Sequence, residues 1–351
     1  MAITDRFPRN LVLLLGAASL ACASAPHEGE LVQIAEESAI ILWDTATKTQ
    51  HFIRSAAFRT EAKDFGFLVP TPSIPELAEA DEAAFQYLDF ITEPPEPRPA
   101  AVAAAKSEPP KAAEPTVVVV ATAKVAGMDA AVLAANDAGA LDRWLKAHGY
   151  ASSPPLMAWA KVYIDRNWYI TAFKISAGSV QARRLEAGAV RMSFKTEQPF
   201  FPYREPQQPA KATLPPTARL LKVYFIGDGR YDGVLETGMA WPGRPAWSGT
   251  LAAEQRAQLM RHLRMPADAA ATATRLTLFR DLSDPRPGTA DLNFMRAANQ
   301  SELRPERQMQ DLIRQREQAI STATWIVILL IAGAAVAWLI RKQRRKGEDH
   351  D

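Results

Sequence analysis

Reactive sulfur and histidine are scarce in this chain. One cysteine, Cys22, stands among 351 residues, and there are only five histidines. We expect Cys22 to be removed with a leader peptide, which would leave no thiol for disulfides, thiolate catalysis or zinc–thiolate sites. The histidines are scattered, without the spacing of a metal pair. A Gly-x-Ser-x-Gly nucleophile motif is also missing, so the sequence implies no cofactor and points to no catalytic residue.

A large excess of charge of either sign is missing as well. The net charge is +2. The last eleven residues account for +2 of this balance and the N-terminal leader for +1, so the remainder is close to neutral. A nearly neutral surface does not attract phosphate backbones, so we expect no nucleic-acid partner.

One long uncharged run is present, at residues 323–340. As a helix it measures about 27 Å, close to the hydrocarbon thickness of a bilayer. The residues that we expect to anchor it in membrane lipid are Trp325 and Trp338 near its ends and the cations Arg341, Lys342, Arg344, Arg345 and Lys346 directly after it. Such flanks are typical of a transmembrane helix whose basic tail, residues 341–351, is cytoplasmic. A buried core helix is the alternative, but five cations rarely follow one.

The N-terminal sequence indicates on which side of the membrane the domain lies. Arg6 and Arg9 precede a short apolar stretch that ends in small residues, which is the pattern of a secretory signal. We predict a signal peptide at residues 1–23, cleaved after Ala23. Lipidation of Cys22 is the alternative, although Leu20 stands two places before the cysteine instead of the usual three. With the C-terminal span, a signal predicts a single-pass protein of the cell membrane with its N-terminal domain extracytoplasmic.

Between the two ends, composition changes sharply once. Residues 93–115 are rich in proline and alanine and contain almost nothing to bury, so we predict a disordered insertion there. Residues 24–299 otherwise form the predicted extracytoplasmic domain. Residues 300–322 are polar with a thin apolar stripe, which indicates a juxtamembrane stalk helix.

Alternating and β-branched segments dominate the predicted domain. A hairpin is expected from residues 39–44 and 49–58, and a third strand over 64–69, ending at Pro70. Further strands are predicted at 117–120, 158–164, 168–175, 190–194, 220–225 and 274–281, and helices at 75–88, 137–149 and 254–264. We therefore predict an α+β, strand-rich extracytoplasmic domain with a few packed helices, plus one C-terminal transmembrane helix.

The acidic loop at residues 227–233 is the one candidate metal site. Asp228 and Asp232 lie among three glycines, and two carboxylates with backbone carbonyls could hold calcium. The spacing lacks the alternation and the terminal Glu of an EF-hand loop. A turn between two strands is the simpler interpretation.

Two other groups of side chains have a chemical and a structural interpretation. Glu36 and Glu37 could serve as a carboxylate pair, but adjacent strand residues point to opposite faces and cannot flank one bond. Aromatic residues that could form a stacking platform for a glycan or a peptide are Trp159, Tyr163, Trp168, Tyr169 and Phe173. At strand spacing such residues more often belong to the core.

Several segments resemble one bacterial family. They read AEESAIILWDTATKTQHFIRSAAF, DFGFLVPTPSIPELAEAD, LDRWLKAHGY, KVYIDRNWYITAFKI, RMSFKTEQPFFPYRE and LKVYFIGDGRYDG. The chain is similar in these segments to the family called domain of unknown function 2330. The resemblance implies that residues 93–115 are an insertion in one domain. It also implies an export signal and a C-terminal membrane helix, but it transfers no catalytic or ligand-binding residue.

Two functions remain open from the sequence. The first is a membrane-anchored module that binds an envelope protein or a glycan. The second is an extracytoplasmic hydrolase whose site is assembled only in the fold. The scarcity of thiols, histidines and nucleophile motifs favours the first.

Overall fold

A computed structural model describes residues 23–30, 32–93, 119–134, 138–176, 185–206, 220–283 and 286–304. The described residues up to Leu303 belong to one compact unit. The predicted leader up to Cys22, most of the predicted insertion and stalk, the predicted span and the predicted tail lie outside the described residues. None of the described helices is long and apolar enough to cross a bilayer.

Strands outnumber helices in the described part of the chain. The strands are β1 (Ala23–Ala25), β2 (Val32–Asp44), β3 (Thr49–Thr60), β4 (Asp64–Thr71), β5 (Glu76–Glu79), β6 (Val119–Val125), β7 (Met128–Ala134), β8 (Tyr169–Ser176), β9 (Leu185–Lys195), β10 (Phe200–Phe201), β11 (Leu220–Gly227), β12 (Tyr231–Leu235), β13 (Arg244–Thr250), β14 (Arg275–Asp281) and β15 (Leu292–Arg296). The helices are α1 (Ala83–Thr92), α2 (Ala138–Ala147), α3 (Pro154–Ile164) and α4 (Ala253–His262). The predicted strand-rich α+β fold is therefore confirmed for the domain.

These elements form three sheets. Seven strands pair in the order β13-β14-β11-β2-β3-β9-β5, five in the order β1-β4-β8-β7-β6, and three in the order β10-β15-β12. Most neighbours are antiparallel, whereas β11 and β2 are parallel. The five-stranded sheet combines strands from both sides of residues 94–118, so these two parts of the chain share one sheet.

Alternation along the strands explains how the layers pack. In β2, Ala39, Ile41 and Trp43 face a core that also contains side chains of the five- and three-stranded sheets, whereas Ile40 and Leu42 face a second core. The second core includes residues of α1 and α4. A third core joins the outer face of the five-stranded sheet to α2 and α3. Both large sheets are thus covered on two faces, which accounts for the nearly continuous apolar runs in their central strands.

Most of the predicted elements are present. The predicted hairpin is confirmed: β2 and β3 pair antiparallel from Val32 with Thr60 to Asp44 with Thr49. Helices α2 and α4 and strands β8, β9, β11 and β14 also lie where we predicted them, within a few residues. Gly149, the predicted end of the second helix, has a φ of 78° just after α2, the conformation that glycine adopts at helix C-termini.

Three predictions were wrong in detail. Residues 158–164 belong to helix α3, because Ser153 caps its first turn, Pro154 follows, and Leu156, Trp159, Ala160 and Tyr163 form one buried face. Their aromatic and β-branched side chains favoured the strand prediction.

The helix predicted at 75–88 is divided between two elements. Glu76–Glu79 forms β5 at the edge of the seven-stranded sheet, and α1 begins at Ala83, whose amide N–H donates to Asp81 Oδ1 at 3.0 Å. Strand β4 also continues through Pro70 to Thr71. Strand β1 covers only Gly66 to Leu68, so Pro70 lies where one side of β4 has no described neighbour and needs no N–H.

Candidate functional site

A network of buried charges lies between the two large sheets. The Glu37 side chain is 0% exposed, and its Oε1 atom is 2.8 Å from both Nε and Nη2 of Arg54. Arg286, with 1% of its side chain exposed, places Nη1 3.5 Å from the other carboxylate oxygen of Glu37. The Nε atom of Arg286 lies 3.9 Å from Oδ2 of Asp281, another fully buried carboxylate. We call these four residues the buried charge network; its formal charges cancel.

Asp281 is also held by neutral donors. Its Oδ2 atom accepts from the Tyr203 hydroxyl at 2.7 Å and from the Trp241 indole N–H at 3.2 Å. Its Oδ1 atom accepts from the amide and the hydroxyl of Ser283. Burial and the adjacent Asp281 carboxylate raise the pKa of Tyr203, so the phenol stays protonated and acts as a donor.

Strand geometry places this network in the core. Glu37 shares the inward face of β2 with Ala39 and Ile41, and Arg54 shares that of β3 with Phe52. The Arg54 guanidinium lies 3.9 Å from the centre of the Phe67 ring. Glu36, the neighbour of Glu37, is exposed, as expected for adjacent strand residues on opposite faces. Paired and enclosed in this way, the carboxylate and the guanidinium brace the sheets and are not presented to a substrate.

A small cavity adjoins Arg54 between the sheets. Its volume is about 30 Å³, and its other lining residues include Phe67, Met128, Phe173 and Met192. This volume accommodates one or two water molecules. Because Glu37 already engages the Arg54 guanidinium, the cavity offers no free cation to an anionic ligand.

A second cluster lies near the first described residues and is partly exposed. The His27 Nδ1 atom is 2.7 Å from the carbonyl oxygen of Gly149, and Nε2 is 3.0 Å from Oδ1 of Asp64. The Tyr150 hydroxyl donates to the same carboxylate at 3.1 Å, and Lys174 Nζ lies 3.6 Å from its other oxygen. The backbone carbonyl of Gly149, more than the Asp64 carboxylate, raises the pKa of His27.

The other described histidines also make local contacts. His51 Nδ1 lies 2.8 Å from the Ser193 hydroxyl, and burial followed by the charge of Arg191 lowers the pKa of His51 to about 4. His148 stacks on Trp144 with ring centres 4.1 Å apart, and its Nδ1 atom donates to the Trp144 carbonyl oxygen. His262 packs against Tyr87. These contacts are those of structural histidines.

A third acidic group is buried beneath α3. Asp291 Oδ1 accepts from the Tyr163 hydroxyl at 2.9 Å and from the amide of Arg204 at 3.0 Å. Its Oδ2 atom has no hydrogen-bond partner among the residues that the structure describes. Burial raises the pKa of Asp291 to about 6. Arg204 and Arg166 direct their guanidinium groups to Glu236 instead, at 3.4 and 2.8 Å.

Of the acidic loop predicted at 227–233, residues 228–230 connect β11 to β12, and Asp232 lies within β12, paired with Met295. Asp228 Oδ1 accepts from the Tyr231 hydroxyl at 2.9 Å, and Asp228 Oδ2 lies 2.7 Å from Arg296 Nη1. Asp232 is half-exposed and lies 4.0 Å from Arg230. Each carboxylate thus has a cation beside it, which supports the turn interpretation. Within the described ranges, no three His, Cys, Asp or Glu side chains are arranged to hold a metal ion.

The predicted aromatic platform is mostly core. Trp159, Tyr163 and Phe173 are buried, whereas Trp168 and Tyr169 are partly exposed. The Trp159 indole N–H donates to the Arg204 carbonyl oxygen at 3.0 Å. The predicted membrane anchors, from Trp325 to Lys346, lie outside the described residues.

One sheet edge carries a row of backbone groups that sequence reasoning missed; the row is in regular register from Ala121 to Val125. Strand β6 is the last strand of the five-stranded sheet and pairs antiparallel with β7. The two residues between them, Ala126 and Gly127, have φ angles of 49° and 77°, typical of a type I′ hairpin turn. Such a turn closes on a hydrogen-bonded pair, here Val125 and Met128. The pattern then alternates, so the N–H of Ala123 points to β7 and that of Thr122 points away from it.

Comparison with known proteins gives one informative match. No curated protein is detectably similar to this chain in sequence. The crystal structure of baculovirus P35 is similar over 63% of this chain and 76% of that chain, at 9% identity and a TM-score of 0.33, too low to support an inference. The model of a family described as an uncharacterized protein conserved in bacteria, domain of unknown function 2330, matches residues 16–230. Because this match covers more than half of the chain, the protein belongs to that family.

Proposed function

We propose that this protein is an exported, membrane-anchored binding module that recognises an extended segment of an envelope protein by strand addition to β6. The observation that carries the proposal is the edge of the five-stranded sheet: β6 pairs with β7 on one side, and no described strand pairs with it on the other. Backbone donors and acceptors along such an edge can pair with an extended peptide.

The sequence of β6 supports this use of the edge. The strand reads VVATAKV, with three valines and a threonine that favour extended structure, and it contains no proline. Natural edge strands are often short or blocked by proline or by several charges. The five residues in consecutive register, Ala121 to Val125, provide enough length for a few main-chain hydrogen bonds to a partner strand.

The chemical groups of the domain also favour binding over hydrolysis. In the described part of the chain, the buried carboxylates contact guanidinium groups, hydroxyls and N–H donors, and the histidines contact Asp64, backbone carbonyls or a local hydroxyl. A general base needs a proton-bearing nucleophile within hydrogen-bond reach. His27 lies between two acceptors, Asp64 and the Gly149 carbonyl. His51 does contact a hydroxyl, that of Ser193, but burial lowers the pKa of His51 to about 4, which makes it a weak base near neutral pH.

The edge proposal is tested by removing one outward N–H. A photo-crosslinking residue at position 124, introduced in the native bacterium, should capture a protein, and a synthetic peptide of the crosslinked segment should bind the purified chain. Thr122→Pro removes the outward N–H and should weaken this binding by about tenfold or more. Thr122→Ala keeps the N–H and is the matched control.

The outcomes separate edge binding from other modes. Ala123→Pro removes a ladder hydrogen bond to β7 and should lower the thermal midpoint, whereas Thr122→Pro should leave it nearly unchanged. Equal binding of the peptide to the Thr122→Pro and Thr122→Ala variants would contradict the proposal. Capture of a glycan, or of nothing, at position 124 would contradict it too.

Anchoring is proposed from residues 323–340 and the cations that follow them. Alkaline carbonate washing of membranes should leave the full chain in the pellet, and a chain truncated after residue 304 should be released. In a Cys22→Ala background, a cysteine introduced after Lys346 should react with thiol reagents only after the inner membrane is opened. Release of the full chain by carbonate, or labelling of intact cells, would overturn the anchor or its orientation.

Strand β1 bears on the position at which the leader is cleaved. Ala23 is 0% exposed and pairs with Leu68, so cleavage after Ala23 would remove the first residue of that strand. We therefore propose that the leader is cleaved upstream of Ala23. Intact-mass measurement of the protein from membranes should show a chain that retains Ala23, with or without an acylated Cys22. A mature chain that begins at Ser24 would contradict this.

A further inference from the structure

Polar contacts at three places attach residues 23–30 to the rest of the domain. Strand β1 pairs with Gly66 to Leu68 of β4. The amide of Ala151 donates to the Pro26 carbonyl oxygen at 2.7 Å. The His27 side chain then bridges Gly149, after α2, and Asp64, at the start of β4. The first two attachments use backbone groups and do not titrate, whereas the third depends on the protonation state of an imidazole.

Both partners of the His27 ring are acceptors. The Gly149 carbonyl oxygen can only accept, and so can the ionised Asp64 carboxylate. The imidazolium donates from Nδ1 and Nε2 at once and satisfies both, at 2.7 and 3.0 Å. Either neutral tautomer carries one N–H, so it leaves one acceptor facing a ring lone pair. The two acceptors therefore favour the protonated, positively charged form of the His27 ring.

The surrounding charges favour the same state. Around His27, Asp64 comes from β4, Tyr150 from the segment after α2, and Glu30 from the turn after His27 itself. Lys174 of β8 lies on the far oxygen of Asp64, and Asp129 of β7 is in register with Lys174. Two acidic groups thus act directly on the imidazolium, and the ammonium group of Lys174 is directed to Asp64.

We propose that His27 is a pH-dependent latch that fastens residues 23–30 to the domain when it is protonated and loosens them when it loses the proton. The sign follows from the raised pKa of the folded state. Such a group stabilises the closed segment fully below the ordinary histidine pKa of about 6.5, and this contribution is lost as pH rises through the folded-state pKa. An exported domain would meet such pH changes outside the cytoplasm, a consequence that rests on the proposed function.

The test is hydrogen exchange of residues 23–30 in the full chain, purified in mild detergent. After correction for the intrinsic pH dependence of exchange, protection of this segment should fall about threefold to tenfold between about pH 6 and pH 8.5. His27→Gln should abolish this pH dependence. His148→Gln, in the same aromatic cluster but with its described contacts to Trp144 and Tyr150, should retain it.

A second measurement separates the latch from a structural role of the ring. NMR titration should give a His27 pKa above 6.5, and Asp64→Asn, which keeps an oxygen acceptor but removes the charge, should lower it. An equal loss of protection with pH in wild type and His27→Gln would overturn the proposal. A His27 pKa at or below that of a free histidine would also overturn it. Neither result bears on whether β6 binds a partner.

Discussion

The buried charge network and the His27 cluster use similar groups in different surroundings. Each combines a carboxylate, a cation and a tyrosine hydroxyl: Asp281, Arg286 and Tyr203 in the first, and Asp64, His27 and Tyr150 in the second. The side chains of Arg286 and Asp281 are at most 1% exposed. Those of His27 and Asp64 are 34% and 23% exposed.

This difference in burial determines what each group can do. Water screens the His27 pair, so either partner can change its charge at a modest cost, and the pair can respond to pH. The network between the sheets lies in low dielectric, where the loss of one charge leaves another uncompensated. We infer that the first region holds the sheets together and that the second is adjustable.

The largest effect is expected from breaking the buried charge network. Glu37→Gln removes the carboxylate that faces both Arg54 and Arg286. Two guanidinium groups then remain buried with less compensation, so we expect a loss of about 3–5 kcal/mol in the free energy of unfolding. Urea denaturation of the full chain in detergent, followed by tryptophan fluorescence, measures this change.

The neighbouring residue provides the matched control. Glu36→Gln makes the same chemical change on the exposed face of β2 and should alter the free energy of unfolding by less than about 0.5 kcal/mol. Equal losses in the two variants would show that burial does not distinguish these carboxylates. The contrast between the two regions would then fail.

Asp291 separates the effect of burial from that of pairing. It is as buried as Glu37, but its close partners are the Tyr163 hydroxyl and the Arg204 amide. Burial raises the pKa of Asp291 to about 6, whereas an aspartate in the unfolded chain has a pKa of about 3.9. Between these two pH values the folded chain holds a proton that the unfolded chain has lost. Stability should therefore fall as pH rises through this window.

The pH profile of unfolding tests this assignment. Wild type should lose stability between about pH 4 and pH 6 relative to Asp291→Asn, which cannot ionise. Glu236→Gln removes a nearby charge that also raises the pKa of Asp291, so it should reduce the slope without abolishing it. Parallel profiles for wild type and Asp291→Asn would indicate that Asp291 stays ionised, and pairing would then matter less than we infer.

Local sequence patterns predicted much of the fold and part of this contrast. Alternation in residues 39–58 predicted the central hairpin, because each strand face meets a different core. The same alternation places Glu37 with Ala39 and Ile41, and Arg54 with Phe52. Since Arg54 is in register with Ala39, it is the diagonal neighbour of Glu37. A search for charges on apolar strand faces would have found this pair.

The other contacts of the buried charge network and of the His27 cluster join residues that are far apart in the sequence. Asp281 and Arg286 come from the far end of the domain and lie beyond the family match, so no local pattern connects them to Glu37. His27 meets Gly149 across 122 residues of sequence. Helix α3 was mistaken for a strand because its aromatic residues outweighed the capping signal of Ser153 and Pro154. Tertiary packing decided these cases.

The smallest effect on stability is expected from a substitution in the partly exposed His27 cluster. His27→Gln should cost about 1 kcal/mol of stability near pH 6, where the imidazolium makes two charge-assisted bonds, and close to nothing well above its pKa. The pH-dependent difference between wild type and variant, measured by thermal unfolding, distinguishes a titrating bridge from simple packing. A difference in stability that does not change with pH would mean that His27 stabilises the fold by packing and not by its charge. The two regions would then differ in exposure but not in their response to protons.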